Sequence, residues 1–266
     1  MAYELSLDDL AAVVKRVAGE QLGVAADGLE DPDDPVAAVH DARKRLKKTR
    51  ALLRLARPAM RADAFRAYNR ELRDQSRVLS GARDAEALVE TVDALAEHNT
   101  RRVKRVHFMA VRGRFVGGAA GGLPEHRVRE VADGVDRWPL GGISSETLVD
   151  AVTATYRRGR KAAAKPATTE NLHEWRKRVK DLWYQARLLS IKRVARDAKK
   201  LSKLLGSDHD LATLSAELPA DDPLQPLISD RRAELQKAAR KLGARVYEDP
   251  PKAFRKRVRK RLRAVA

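Results

Sequence analysis

One stretch of this chain is echoed a half-length later, and that repeat limits the fold more than any other feature. VHDARKRLKKTRALLRL begins at Val39 and LHEWRKRVKDLWYQARL begins at Leu172. At a constant offset of 133 (173 − 40), His40 matches His173, and Arg43, Lys44 and Arg45 match Arg176, Lys177 and Arg178. Lys47 matches Lys180, Arg54 matches Arg187 and Leu55 matches Leu188. The offset is half of the 266 residues, so duplication of one structural unit is the simplest origin. A weaker echo pairs Leu79-Ser80-Gly81 and Asp84 with Leu204-Leu205-Gly206 and Asp210, with spacing that differs by one residue.

The repeat has helical periodicity. His40, Arg43, Lys47, Arg50 and Arg54 are spaced three and four apart, as are His173, Arg176, Lys180, Trp183 and Arg187. Such spacing puts each set on one narrow stripe of a helix. A second, apolar stripe lies about 100° around the axis. It holds Val39, Ala42, Leu46 and Leu53 in one copy, and Leu172, Trp175, Val179, Leu182, Ala186 and Leu189 in the other. Asp41 is the one acid between His40 and Arg57. The cationic stripes therefore lack i,i+4 carboxylates on their own helix. Aligned like charges cost stability unless an external anion offsets them. Phosphate suits the task, because arginine offers a planar fork and lysine a point charge. The alternative is a solvated basic face, with its acids supplied by other helices.

The rest of the chain is consistent with an all-α fold of two tandem helical bundles. Ala, Leu, Arg, Glu and Lys dominate, and these are strong helix formers. No segment has the alternating, β-branched pattern of a strand. Ser6-Leu7-Asp8-Asp9 reads as a capping box that opens a first helix, and the acidic Ala25–Pro35 stretch reads as a loop. Helices are expected at roughly 35–57, 61–79, a long region 84–112, and a short 125–135. Ser144 or Ser145 caps a fresh start after Gly141-Gly142, followed by helices at roughly 145–164, 169–192, 194–205, 208–217, 225–247 and 252–264. Gly117 to Gly122 reads as a flexible connection. The halves divide as residues 1–139 and 140–266.

Charge then narrows the partners. There are 55 Lys and Arg against 37 Asp and Glu, a formal charge of +18. Nucleic acid, anionic membrane and polyphosphate are the usual counterparts of such a surface. With no cysteine, disulfides and thiolate sites are excluded. MAYELSLDDL lacks a signal-peptide pattern and no apolar run is long enough to span a bilayer, so the expectation is a cytoplasmic protein. No metal, cofactor or nucleophile motif is legible. Asp208-His209-Asp210 reads as a helix cap more than a metal cluster. The tail from Lys252 to Arg263 has eight basic residues and no acid.

The two H-x-x-R-K-R-x-K helices resemble the CHAD domain, a helical domain named for its histidines, across essentially the whole chain. Tyr156-Arg157-Arg158-Gly159-Arg160 and Lys252-Ala253-Phe254 are similar to the family as well. The resemblance implies two helical bundles related by approximate twofold symmetry. It also implies a basic surface that binds inorganic polyphosphate, in some members at polyphosphate granules, with no catalysis. Carried over by position, His40, Arg43, Lys44, Lys47, Arg50 and Arg54 would line one half of the site. His173, Arg176, Lys177, Lys180 and Arg187 would line the other. Arg50 is matched by Trp183 and Lys48 by Asp181, so the halves are unequally basic there. The alternating-Glu strand motif of the triphosphate-tunnel domain, which accompanies many relatives, is absent from these residues. The runner-up is a nucleic-acid-binding protein, against which stand the scarce aromatics and the lack of a helix-turn-helix or RNA-module signature. A phosphoanhydride-processing enzyme is the third reading, and it lacks a visible metal or nucleophile.

Overall fold

The computed structural model describes residues 9–80, 84–98, 102–116, 123 and 125–263. Among them the chain forms eleven α-helices and no strand. These are α1 (Leu10–Glu30), α2 (Pro35–Ala56), α3 (Ala62–Val78), α4 (Asp84–His98), α5 (Arg105–Gly113), α6 (Val128–Asp133), α7 (Ser145–Ala163), α8 (Thr169–Leu188), α9 (Lys192–Glu217), α10 (Leu224–Val246) and α11 (Pro251–Arg263). Short 3₁₀ turns follow α2 at Arg57–Ala59 and precede Trp138 at Val135–Arg137.

Caps and apolar periodicity explain most of these boundaries. Asp34 accepts from the amides of Val36 and Ala37, and Pro35 occupies the first helical position of α2. Ser144 accepts from Thr147 N to open α7, and Thr168 from Asn171 N to open α8. Three boundaries differ from the sequence reading. First, α1 is capped by Asp9, which accepts from Ala12 N; Ser6, Leu7 and Asp8 of the expected capping box lie outside the described residues. Second, α1 continues through Ala25 to Glu30, because Ala25, Ala26 and Leu29 extend its buried face. That burial outweighs the roughly 1 kcal/mol that Gly28 costs a helix. Third, α9 is one unbroken helix where two were expected. Leu205, Leu211 and Leu214 are buried on both sides of Gly206, so a break there would expose them.

The long region expected from Asp84 to Arg112 is instead two helices. Folding back brings Phe108 and Val111 of α5 against Val92 and Leu95 of α4, together with Leu211, Leu214, Leu224 and Ile228 of α9 and α10. A straight helix would leave those side chains in water. This cluster is the smaller of two cores. The larger runs from Leu10 to Leu262 and takes side chains from α1, α2, α3, α6, α7, α8, α9, α10 and α11. The cores thus draw on residues before and after 139. Tyr156 is central to the larger one. Its ring stacks on Phe254 at 3.9 Å, meets Tyr247 edge-on at 5.2 Å, and its hydroxyl donates to Asp249 O at 2.9 Å.

Candidate phosphate-binding cleft

The repeated helices α2 and α8 bury one face each. Val39, Ala42, Leu46 and Leu53 on α2, and Leu172, Trp175, Val179, Leu182, Ala186 and Leu189 on and just after α8, are all in the core. The cationic stripes are thereby held at the rim of the core, neither sunk in it nor fully in water. The two helices touch directly. Gln185 Nε2 donates to Ala51 O at 3.2 Å, and Arg54 Nη1 donates to Asp181 Oδ1 at 2.7 Å.

Next to this crossing is a cleft of about 490 Å³. Arg43 and Lys47 from the first copy of the repeat line it, and so does Arg176 from the second. His209 on α9 and Arg231 on α10 add to its basic wall, while Glu90 and Asp210 supply carboxylates. Arg231 is paired with Glu234 at 2.8 Å, so its charge is partly answered; Arg43, Lys47 and Arg176 still outnumber the two acids, and the cleft favours an anion. The first arginines of the two stripes have different neighbours. Arg43 Nη1 donates to Ser80 O at 3.3 Å, beside the end of α3. Arg176 lies over Gly206, with Nε 3.7 Å from where a β-carbon would stand. Gly81 of the weaker Leu-x-Gly echo lies outside the described residues.

The other candidate residues take different positions. Lys44 and Lys177, both exposed, pair with Asp41 and Glu174 one turn back on their own helices, and Arg45 and Arg178 share those acids. In each copy one acid near the start of the repeat thus answers the lysine and arginine that flank the stripe. His40 is exposed near the beginning of α2. Arg50 is half-buried with Nε 3.4 Å from Asn69 Oδ1; burial, then the Arg54 charge, lowers its pKa to about 10. Arg54 is committed to Asp181. Burial pushes the Asp181 carboxyl up from its ordinary value, against the pull of Arg54, Arg178, Arg50 and Arg158.

The mismatch of Lys48 with Asp181 makes the crossing lopsided. One side carries the Arg54–Asp181 ion pair. On the other, Lys48 is half-buried and donates to Gln21 Oε1 at 3.2 Å. Burial, then the charges of Arg45, Arg187 and Lys44, brings its pKa down to about 8. Positive charge is thus concentrated around Lys48 and Arg187. Lys180 is half-buried on α8, and Arg187 is exposed near its end.

Among the cleft residues not assigned to the site from sequence are His209 and Arg231. Asp208-His209-Asp210 is no helix cap, because it lies inside α9. Asp208 is buried and accepts from Arg232 Nε at 3.1 Å and from Gln236 Nε2 at 2.8 Å, which leaves His209 turned to the cleft. His209 also meets His173, ring centroids 4.5 Å apart. Arg231 carries no sequence signal, since only the packing of α10 on α9 brings it there. Among the described residues, no three His, Asp or Glu side chains converge as metal ligands would.

Residues 9–219 match the family model of the CHAD domain. The chain belongs to the CHAD domain family. That family is associated with polyphosphate binding and is generally a non-catalytic binding domain. The uncharacterized proteins MT2285 and Rv2226 of Mycobacterium tuberculosis are each 32% identical over 209 residues, covering 69% of this chain. The chain spans only 40% of the length of either relative. The crystal structure of the CHAD domain from the plant Ricinus communis has the same fold, with a TM-score of 0.57 at 16% identity, covering 99% of this chain and 94% of that one. The CHAD match includes both cationic helices, the cleft-lining part of α9, and Tyr156 and Gly159. The last two have a structural role here: a β-carbon at Gly159 would stand 2.2 Å from the Tyr247 hydroxyl. Among the described residues no helix is long and apolar enough to cross a membrane.

Proposed function

We propose that this CHAD domain binds inorganic polyphosphate without turning it over, and that the cleft beside the α2–α8 crossing is where the chain first seats. One observation carries the reading: Arg43 and Lys47 from one copy of the repeat share a cavity with Arg176 from the other. A flexible polyanion touching both copies gains from linked contacts, and its affinity exceeds that of either half alone. Arg43 and Arg176 hold phosphate oxygens through their forks, with Lys47 as a mobile point charge. His40, Lys44, Arg50, His173, Lys177, Lys180 and Arg187 extend this basic track beyond the cleft, while Arg54 supports it from the crossing through Asp181. Residues 1–139 and 140–266 act as the two duplicated halves that supply one stripe each. A cytoplasmic protein recruited to polyphosphate granules is the cellular setting that fits.

Parallel titrations with long-chain polyphosphate and single-stranded DNA at about 150 mM salt test the assignment. Polyphosphate is expected to bind much more tightly. DNA binding of equal strength would move the protein to the nucleic-acid reading. Phosphate release from polyphosphate or ATP with Mg²⁺, lost on substituting His40 or His173, would instead make it an enzyme.

A further inference from the structure

The histidine couple at the cleft has a chemistry that the basic track alone does not need. His173 of α8 and His209 of α9 hold their rings 4.5 Å apart at a 40° tilt. His209 lines the cleft. Nδ1 of His173 is buried without a hydrogen-bond partner among the described residues, and so is Nε of the adjacent Arg176. A buried polar nitrogen left unmatched is costly, and an arriving acceptor oxygen would relieve that cost.

The charges around the couple come from every helix packed there. On α8 these are Arg176, Lys177 and Glu174; on α9, Asp208 and Asp210; on α10, Arg231 and Arg232. Across the cleft stand Arg43 and Lys47 of α2 and Glu90 of α4. Two of the acids are engaged elsewhere. Asp208 is held by Arg232 and Gln236, and Glu174 by Lys177 and Arg178. Two imidazolium charges at this separation, beside Arg176 and Lys177, would repel each other strongly. Burial above all, then neighbouring positive charge, holds both histidines below their ordinary value, which favours the neutral imidazoles at pH 7.

We propose that His209 is a further ligand-contacting residue of the cleft and that it and His173 couple phosphate binding to proton uptake. The inference rests on the reading of the cleft as a phosphate site. A phosphate oxygen beside Arg176 brings the negative charge that the couple lacks. An imidazole then takes a proton from solvent, becomes an imidazolium, and donates that N–H to the phosphate oxygen. The direction follows from linkage: the bound state holds more protons than the free state, so affinity rises as pH falls. Histidine is the side chain whose charge changes across this range.

Titration calorimetry with long-chain polyphosphate, run at about pH 6.5 in buffers of different ionisation heat, counts the protons. Internal phosphates of a long chain stay singly charged throughout, so the ligand adds little to the count. Wild-type protein is expected to take up about one proton per cleft, and to bind about tenfold more tightly near pH 5.5 than near pH 7.5. His173→Gln/His209→Gln is expected to lose most of that uptake and to flatten the pH dependence, with helicity intact by circular dichroism. If the double variant folds poorly, imidazole signals followed by NMR in the wild type serve instead: both histidine pKa values should rise when polyphosphate is added. Heats that do not depend on the buffer, uptake that survives in the double variant, or unmoved histidine titrations would overturn the coupling while leaving the cleft. Absence of polyphosphate binding at any pH would overturn the cleft reading, and the coupling with it.

Discussion

At the residue scale, the glycines of the helix contacts are tightly constrained. A β-carbon at Gly243 would stand 2.6 Å from Trp175 Cζ2, and one at Gly159 2.2 Å from the Tyr247 hydroxyl. Trp175 lies on the buried face of α8, so it cannot retreat without dragging the cationic stripe. Gly243→Ala and Gly159→Ala should therefore each destabilise the fold by about 1–3 kcal/mol, the usual cost of overpacking. Gly23→Ala in α1, where nothing lies within 4 Å, should be neutral or stabilising by up to about 1 kcal/mol. Denaturant unfolding of the three variants checks the order. A Gly159 variant as stable as Gly23→Ala would mean that Tyr247 has room to move. The need for Gly159 was visible in sequence only as part of the Tyr-Arg-Arg-Gly-Arg motif. Its partner Tyr247 is 88 positions away (247 − 159), and no local pattern joins the two.

At the element scale, the crossing of α2 and α8 depends on one acid. Asp181 is buried, takes the Arg54 guanidinium at 2.7 Å, and lies near Arg50, Arg158 and Arg178. Asp181→Ala would leave those arginines uncompensated. Breaking a buried pair in this way costs about 3–5 kcal/mol, and chemical denaturation should register a loss of that order. A loss below about 1 kcal/mol would show that water already screens the pair. The tail helix α11 behaves differently from the stripes. Phe254, Val258 and Leu262 are buried, Arg255 and Arg259 pair with Glu146 of α7, and Arg257 pairs with Asp249. Much of its positive charge is thus answered within the protein. Arg259→Glu/Arg263→Glu should lower thermal stability through the lost Glu146 pair, yet weaken polyphosphate binding far less than reversals on α2. Equal losses from both sets, measured by the same titration, would put the tail in the binding track.

For the whole molecule, the proposed track makes a salt-dependent polyanion receptor of a protein with a formal charge of +18. Each neutralised phosphate releases counterions, so log K should fall with log salt by roughly 0.7 per contact, taking single-stranded nucleic acid as the analogue. Arg43→Glu/Lys47→Glu and Arg176→Glu/Lys180→Glu should each cripple binding, and all four together should abolish it. Each double variant should also flatten the salt slope. Ligand at about 100 times Kd should stabilise the wild type by about 2.7 kcal/mol, seen as a higher Tm that the fourfold variant does not share. Full binding by the fourfold variant would place the track elsewhere.

The helical class and the faces of the two repeated helices were legible in the chain's own residues. Both follow from local periodicity, which fixes which side chains share a side. Every residue of the two apolar stripes is buried, because an i, i+3, i+4 pattern has one consistent way to meet a core. Local signals also located the starts of α2, α7 and α8, where a side-chain oxygen accepts from orphan amides two or three residues on and, in α2, Pro35 has no amide hydrogen to satisfy. Tertiary structure decided what each polar side chain meets. Arg54 is spaced like a stripe residue yet is paired with Asp181 across a gap of 127 positions, and Asp208 is claimed by α10 instead of capping a helix. Packing, not propensity, folded α5 back on α4 and kept α9 straight through Gly206. It also put His209 against His173 and Arg231 at the cleft. Periodicity says which way a residue points along its own helix, and only the arrangement of neighbouring helices says what waits there.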